Sequence, residues 1–203
     1  MTTRQLLYNA GLAAWFAIDG FRCVRSAIST AGVEAWNGYL LGGVMLILAG
    51  IVLWRKPAVT TAMSWGTAVV VIASTAAPMC YELLPSIQQP YSYAVGAVRW
   101  FGTLVLLGSV LCLGTNFSVF PQRRTIVSHG PYNVVRHPIY TSYLLVDLTW
   151  WAPQGSVLGA LVWVAEAVLF YQRARLEEAC LSEDALYREY CRMVPYRLVP
   201  GVL

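Results

Sequence analysis

Four apolar runs, Leu6 to Ile28, Trp36 to Trp54, Ala58 to Met79 and Tyr93 to Thr115, constrain this chain more than anything else in it. At roughly 1.5 Å per residue, each is long enough to cross a hydrocarbon core of about 30 Å. Lipid offers no water to backbone N–H and C=O groups, so such a run satisfies them internally, as a helix. Composition agrees: hydrophobic residues make up 58% of the 203 and charged residues 12%, about half the charged share of a soluble domain. The expected fold is all-α, a polytopic membrane helix bundle with about five to six transmembrane segments. No charged start, short apolar core and small-residue cleavage site precede the first run, so no cleaved signal peptide is expected.

The first run carries Asp19, Arg22 and Arg25 at three-residue spacing, nearly on one helical face. Charges there should face the bundle or pair with each other near the outer interface, a substrate or ion path being the other reading. The second run has an aromatic at each end and stops at Arg55-Lys56-Pro57. In the third, small residues such as Ser64, Gly66, Ala68 and Ala73 allow close helix contact. An outer loop from Tyr81 to Ser92, with Pro85 and Pro90, leads to the fourth, which has Arg99 near its outer end and Gly102, Gly108 and Gly114 spaced for packing.

Two shorter runs follow, Ile139 to Trp151 and Ser156 to Tyr171, joined by the turn Ala152-Pro153-Gln154-Gly155. The first of them reaches only about 20 Å, so the short C-terminal helical hairpin either lies shallow or tilted or crosses a thinned bilayer. From Arg173 onward Leu176, Cys180, Tyr187, Tyr190 and Val194 recur at helical spacing, broken at Glu183, which predicts a cytosolic amphipathic helix folded back on the bundle. The chain reads as one domain over residues 1–203, with a four-helix scaffold in 1–116 and a catalytic half in 117–203.

Counting the hairpin as two passes places both termini on one side. Arg4, Arg55, Lys56, Arg123, Arg124, Arg136, Arg173, Arg175, Arg188, Arg192 and Arg197, eleven of the fourteen basic residues, then share that side, which the positive-inside rule makes cytosolic. Arg22, Arg25 and Arg99 fall towards the other. Lys56 is the only lysine and the arginines are spread out, so the net charge of +4 does not indicate a nucleic-acid partner. Cys23, Cys80, Cys112, Cys180 and Cys191 show no metal or redox spacing and read as small packing residues. With only two histidines, eight residues apart in one loop, neither a structural zinc nor a two-histidine haem is expected, and no metal is assigned.

Both histidines lie in the densest polar passage, His129 to Tyr143, where two prolines and a glycine fix the backbone, three tyrosines offer flat faces, and Arg136 adds a permanent cation. Pro138 suits the first residue of a helix, with His137 at the cap. Such a start presents unpaired N–H groups to an anion. The same residue types also anchor membrane helices at the water interface.

The run Gly130-Pro131-Tyr132 followed by Val135-Arg136-His137-Pro138-Ile139-Tyr140 resembles the signature of the isoprenylcysteine carboxyl methyltransferase family, integral membrane enzymes that use S-adenosylmethionine and are related to phospholipid methyltransferases. Leu113-Gly114, Phe117-Ser118, Glu177-Glu178, Val194-Pro195, Arg197-Leu198 and Pro200 extend the resemblance over residues 113–201. Ser142 stands where the family usually has glycine, and the usual Phe-Gly after the paired glutamates is missing.

The resemblance implies a cofactor site at Arg136, His137, Tyr140, Glu177 and Glu178. S-adenosylmethionine presents a carboxylate, an ammonium, a ribose, an adenine and a sulfonium. His137 or the helix start at Pro138 suits the carboxylate, Glu177 or Glu178 the ammonium. Tyr132 and Tyr140 suit the adenine or the sulfonium, and His129 and Gly130 complete the candidate cofactor-binding loop. Catalytic candidates are Arg173, or Arg175, to orient a carboxylate acceptor, Glu178 beside the donor, and Glu166 as a base for a hydroxyl or thiol acceptor; Glu166 and Asp147 read equally as buried partners for an arginine. A lipophilic acceptor, entering from the bilayer between the fourth run and the hairpin, is the expected partner. A membrane reductase of the steroid reductase type using NADPH and a non-enzymatic membrane scaffold are the rival readings.

Overall fold

A computed structural model describes residues 3–30, 32–55, 60–61, 64–83, 92–123 and 125–202. The expectations placed on Lys56, Pro85, Pro90 and Arg124 lie outside those residues. The chain is an all-α membrane bundle. Helices α1 (Thr3–Ile28) and α2 (Val33–Trp54) form an antiparallel pair. Their crossing is set by glycine: a Cβ on Gly42 would lie 2.7 Å from Val24 Cγ2 and 2.9 Å from the Gly20 carbonyl. Only a hydrogen fits at that approach.

Helix α3 (Trp65–Ala76) starts at Ser64, whose hydroxyl accepts from the Thr67 N–H at 3.1 Å. It begins later than its apolar run, because Ser64 is the residue that caps. From Ala77 to Leu83 the chain tightens into a 3₁₀ helix where Pro78 withholds its N–H. Helix α4 (Tyr93–Leu113) stops at Gly114, whose φ of +48° turns the chain out of the helix. Helix α5 (Pro138–Trp151) opens on proline, as the sequence predicts. The loop after α2 and the loop after α4 are linked by two-residue strands, Thr60–Thr61 against Gln122–Arg123.

The end of the chain differs from expectation. The last apolar run was expected to stop at Tyr171 and an amphipathic helix to start at Arg173; instead α6 (Val157–Leu181) runs unbroken through both. Nothing between Tyr171 and Leu181 breaks a helix, and the polar side chains there find partners inside the protein. The single amphipathic helix expected from Arg173 onward is also interrupted, at residues 182–184, where the apolar spacing lapses at Glu183. Beyond it only α7 (Ala185–Met193), capped by Asp184 accepting from Leu186 N–H, is amphipathic, burying Tyr187 and Tyr190.

Among the described residues, three helices are long and apolar enough to span a membrane: Val33–Trp54, Tyr93–Asn116 and Val157–Leu181. Helix α1 is as long but carries Asp19, Arg22 and Arg25. Leu48, Val52, Leu106, Val110, Phe170 and Ala174 form one core. Leu46, Ile47, Leu104, Leu111, Leu161 and Val164 point outwards, an apolar exterior suited to lipid.

The seam between α4 and α5, where an acceptor was expected to enter, is closed. A Cβ on Gly102 would meet Leu145 Cβ and Val146 Cγ2 at 3.1 Å and the Ser142 carbonyl at 3.3 Å. Ser142, fully buried, turns its hydroxyl back to the Pro138 carbonyl at 2.7 Å. Close packing of two helices, not of a ligand, is what small residues serve at this seam.

Gly42→Ala should therefore lower the detergent-solubilised protein's unfolding free energy by about 1–3 kcal/mol, the usual range for overpacking. Gly43→Ala, whose Cβ meets nothing within 4 Å, should leave the melting temperature unchanged.

Candidate functional site

The site is assembled at one end of the bundle, where residues 117–137 connect α4 to α5; this is the loop end, and the Ala152–Gln154 hairpin turn marks the opposite, turn end. Before α5 the backbone is extended and pairs with the returning C-terminal segment. Arg136 N–H donates to the Tyr196 carbonyl and His137 N–H to the Arg197 carbonyl, each at 2.9 Å. Arg136 Nη1 donates to the Val194 and Pro195 carbonyls at 2.7 Å, and the Thr141 hydroxyl to the Leu198 carbonyl at 2.6 Å.

Glu178, on α6, closes this arrangement. Its Oε1 accepts from Arg136 Nε at 2.8 Å and lies 3.2 Å from His137 Nε2, while Oε2 accepts from Arg197 Nε at 2.8 Å. Glu177 turns the other way. It accepts from the Tyr140 hydroxyl, faces Arg173 Nε at 3.6 Å through Oε1, and faces His137 Nδ1 at 3.6 Å through Oε2. Arg173 also donates from Nη1 to Ser74 Oγ at 3.2 Å and Thr75 Oγ1 at 3.3 Å, and from Nη2 to the Val119 carbonyl. It lies 5.2 Å from the Tyr140 ring centre. A ladder of near-parallel rings runs inwards: His137 on Tyr140 at 5.5 Å, Tyr140 on Phe170 at 5.1 Å, Phe170 on Tyr143 at 5.8 Å.

Along this ladder runs a cavity of about 510 Å³, within the range of small-molecule sites. At the loop end it is lined by Asn116, Gln122, Thr125, Tyr132, Glu177 and Tyr187; then by Phe16, Met45, Leu106 and Phe170; and at the turn end by Tyr81, Asp147, Trp150 and Trp151.

Of the candidates from sequence, Tyr132, Arg136, His137, Tyr140, Arg173 and Glu177 line this cavity. Glu178 is spent on three cationic partners, and Pro138 is buried beneath the helix start. His129 and Gly130 are exposed at a 3₁₀ turn. Gly130, at φ +63°, is required there because a Cβ would sit 2.6 Å from Cys112 Sγ. Glu166 is fully buried near the turn end, accepting from the Tyr81 hydroxyl at 3.2 Å, about 16 Å along α6 from Glu177 at ~1.5 Å per residue. Asn116, Gln122, Thr125 and Tyr187 escaped sequence reasoning. Asn116 alone had a signal, its place between Leu113-Gly114 and Phe117-Ser118.

Burial opposes a charge on His137, but hydrogen bonds to Glu177 and Glu178 outweigh it and raise its pKa above 6.5. Burial, then the charge of Glu177, pushes the Tyr132 hydroxyl well up, and burial does the same to Tyr187. These phenols therefore stay protonated and available as donors at the loop end.

An α-helical membrane bundle with a cavity running from a charged, aromatic end into an apolar interior is thus defined. Residues 97–183 match the model of the Isoprenylcysteine carboxyl methyltransferase (ICMT) family, from the start of α4 past the end of α6. The match bears out the resemblance read from sequence, includes Arg136 to Tyr140 and Glu177-Glu178, begins earlier than expected, and stops short of the 194–200 segment. The chain is also 27% identical over 223 residues to the mouse (Mus musculus) Delta(14)-sterol reductase TM7SF2, an alignment covering 95% of this chain and 53% of that protein. The chain spans about half the length of that relative.

Because the folded pKa of His137 is raised, the stability it lends is present in full below pH 6.5 and is lost as pH rises through the folded value. The melting-temperature gap between wild type and His137→Gln should be widest in acid and narrow steadily above that pH. Arg136→Ala, which removes one of three partners from Glu178 and leaves two carbonyls without their donor, should cost about 1–3 kcal/mol, read from chemical denaturation in detergent.

Proposed function

We propose that this protein is an S-adenosylmethionine-dependent methyltransferase acting on a lipophilic acceptor in the membrane. What carries the reading is the single cavity that joins Glu177 and its polar neighbours to an apolar interior: a polar donor and an apolar acceptor meet without either leaving its preferred medium. The lining fits the donor's groups. Glu177, a half-buried carboxylate facing the cavity, suits the ammonium. Asn116, Gln122 and Thr125 suit the ribose hydroxyls, and the faces of Tyr132 and Tyr187 suit the adenine. The Tyr140 ring suits a sulfonium cation.

When bound, the cofactor supplies a methyl group on a positive sulfur. The chain's own task is orientation and exclusion of water. Arg173 positions Glu177 and Tyr140, and Glu178 holds the loop against α6. An anionic acceptor such as a carboxylate needs no base, which suits a loop end where Glu166 is out of reach. With the loop end and both termini on the cytosolic side, as the basic residues suggest, the soluble donor arrives from the cytosol and the acceptor from the bilayer.

NADPH-dependent reduction is the second reading, favoured by the similarity to a sterol reductase along nearly the whole chain. Calorimetric titration of the detergent-purified protein with each cofactor separates them. Saturable binding of S-adenosylmethionine is expected, weakened by about 10- to 100-fold in Glu177→Gln, the loss of one charge-assisted hydrogen bond. Binding of NADPH alone would replace this proposal with reduction, and binding of neither would leave a scaffold.

A further inference from the structure

At the turn end the cavity meets a second polar group that methyl transfer does not use. Asp147 on α5 and Glu166 on α6 are 6% and 0% exposed. The Tyr81 hydroxyl satisfies Glu166 Oε2, but Glu166 Oε1 and Asp147 Oδ2 have no donor. Among the described residues neither acid forms an ion pair. Two unpaired carboxyl oxygens thus sit in an apolar interior, where a polar group without a partner is costly. Asp147 itself lines the cavity, beside Tyr81, Trp150 and Trp151.

We propose that Asp147 and Glu166 form a recognition site for the protonated amine of an elongated apolar ligand. An ammonium supplies up to three donors and the missing positive charge, whereas a hydroxyl supplies one donor and no charge. Tyr81 and the Trp151 indole complete the surroundings, the ring favouring a cation, while the Trp150 ring already carries Arg99 at 5.0 Å. The ligand's apolar body fills the space lined by Phe16, Met45, Leu106 and Phe170. From Asp147 to Tyr140 is about 10 Å along α5 at ~1.5 Å per residue, so a ligand held by its amine places its far end beside Tyr140 and Glu177. The methyl-transfer reading enters only in naming that far end as the one that reacts.

The test uses the full chain in lipid nanodiscs and a dodecylamine bearing a diazirine next to the nitrogen. Photolabel is expected on Tyr81 or on the segment from Asp147 to Trp151, with dodecylamine competing about 10- to 100-fold better than dodecanol, as one charge-assisted contact requires. Asp147→Asn and Glu166→Gln should weaken labelling by a similar factor and Glu177→Gln should not. Equal competition by the alcohol, label confined to lipid-facing residues, or undiminished labelling of a folded Asp147→Asn would overturn the site. If both variants fail to fold, the competition order and labelled segment of the wild type decide. S-adenosylmethionine titrated in parallel keeps the two ideas apart: loss of donor binding with amine selectivity intact sinks methyl transfer alone, and the converse sinks only the amine site.

Discussion

One carboxylate, that of Glu178, holds the loop end together. It binds Arg136 ahead of α5, His137 at the α5 cap and Arg197 in the C-terminal segment, tying three stretches distant in sequence to the end of α6. A largely buried carboxylate with such partners is costly to strand, so the arrangement holds as a unit or not at all. Its consequence lies one residue away. Successive residues on a helix point about 100° apart, and fixing Glu178 on the C-terminal segment turns Glu177 into the cavity. The paired glutamates are therefore not interchangeable: one builds the wall and the other faces what enters.

Arg173 extends the same logic into the bundle. Four residues before Glu177 on α6, it reaches the α3 hydroxyls of Ser74 and Thr75 and the Val119 carbonyl. The loop after α4, helix α3 and the loop end of α6 thereby share one guanidinium, whose planar fork suits several acceptors at once. Its contact with the Tyr140 ring joins it to the aromatic ladder. The fold thus couples the loop end to the membrane interior through stacked rings.

The bundle was legible in the sequence because runs of about 20 apolar residues admit little else, and Pro138 marks a helix start that the structure keeps. That His129 to Tyr143 and the two glutamates come together was legible only through resemblance. Which glutamate faces the cavity was not, since it depends on the rotational phase of α6, and that phase is set by the helix running on through Tyr171. Nor were Phe16, Met45, Ser74 and Thr75 legible as lining, because an apolar or small residue that walls a cavity looks in sequence like one that fills a core. The assumed division into a scaffold and a catalytic half hid them further: the first half of the chain supplies much of the wall. Gly102 misled for a related reason, since small residues mark close approach without saying whether helix or ligand comes near.

With the α4–α5 seam closed, access from the bilayer has to be sought where helices line the cavity without packing on one another. Helix α1 packs on α2, and α3 on α6. Between them the cavity is bounded by Trp15, Asp19 and Cys23 on one side and Thr75, Pro78 and Met79 on the other. Trp15 lines the cavity and is still 37% exposed, so the wall there is a single side chain thick. A rotamer change of one indole is a small motion beside the separation of two glycine-packed helices, and side chains reorient far faster than helices part. The charge on the first span then has a place in the argument. Asp19 lines the cavity together with Trp15 and Cys23, so the charged face of the first span is turned to the protein's interior rather than to lipid.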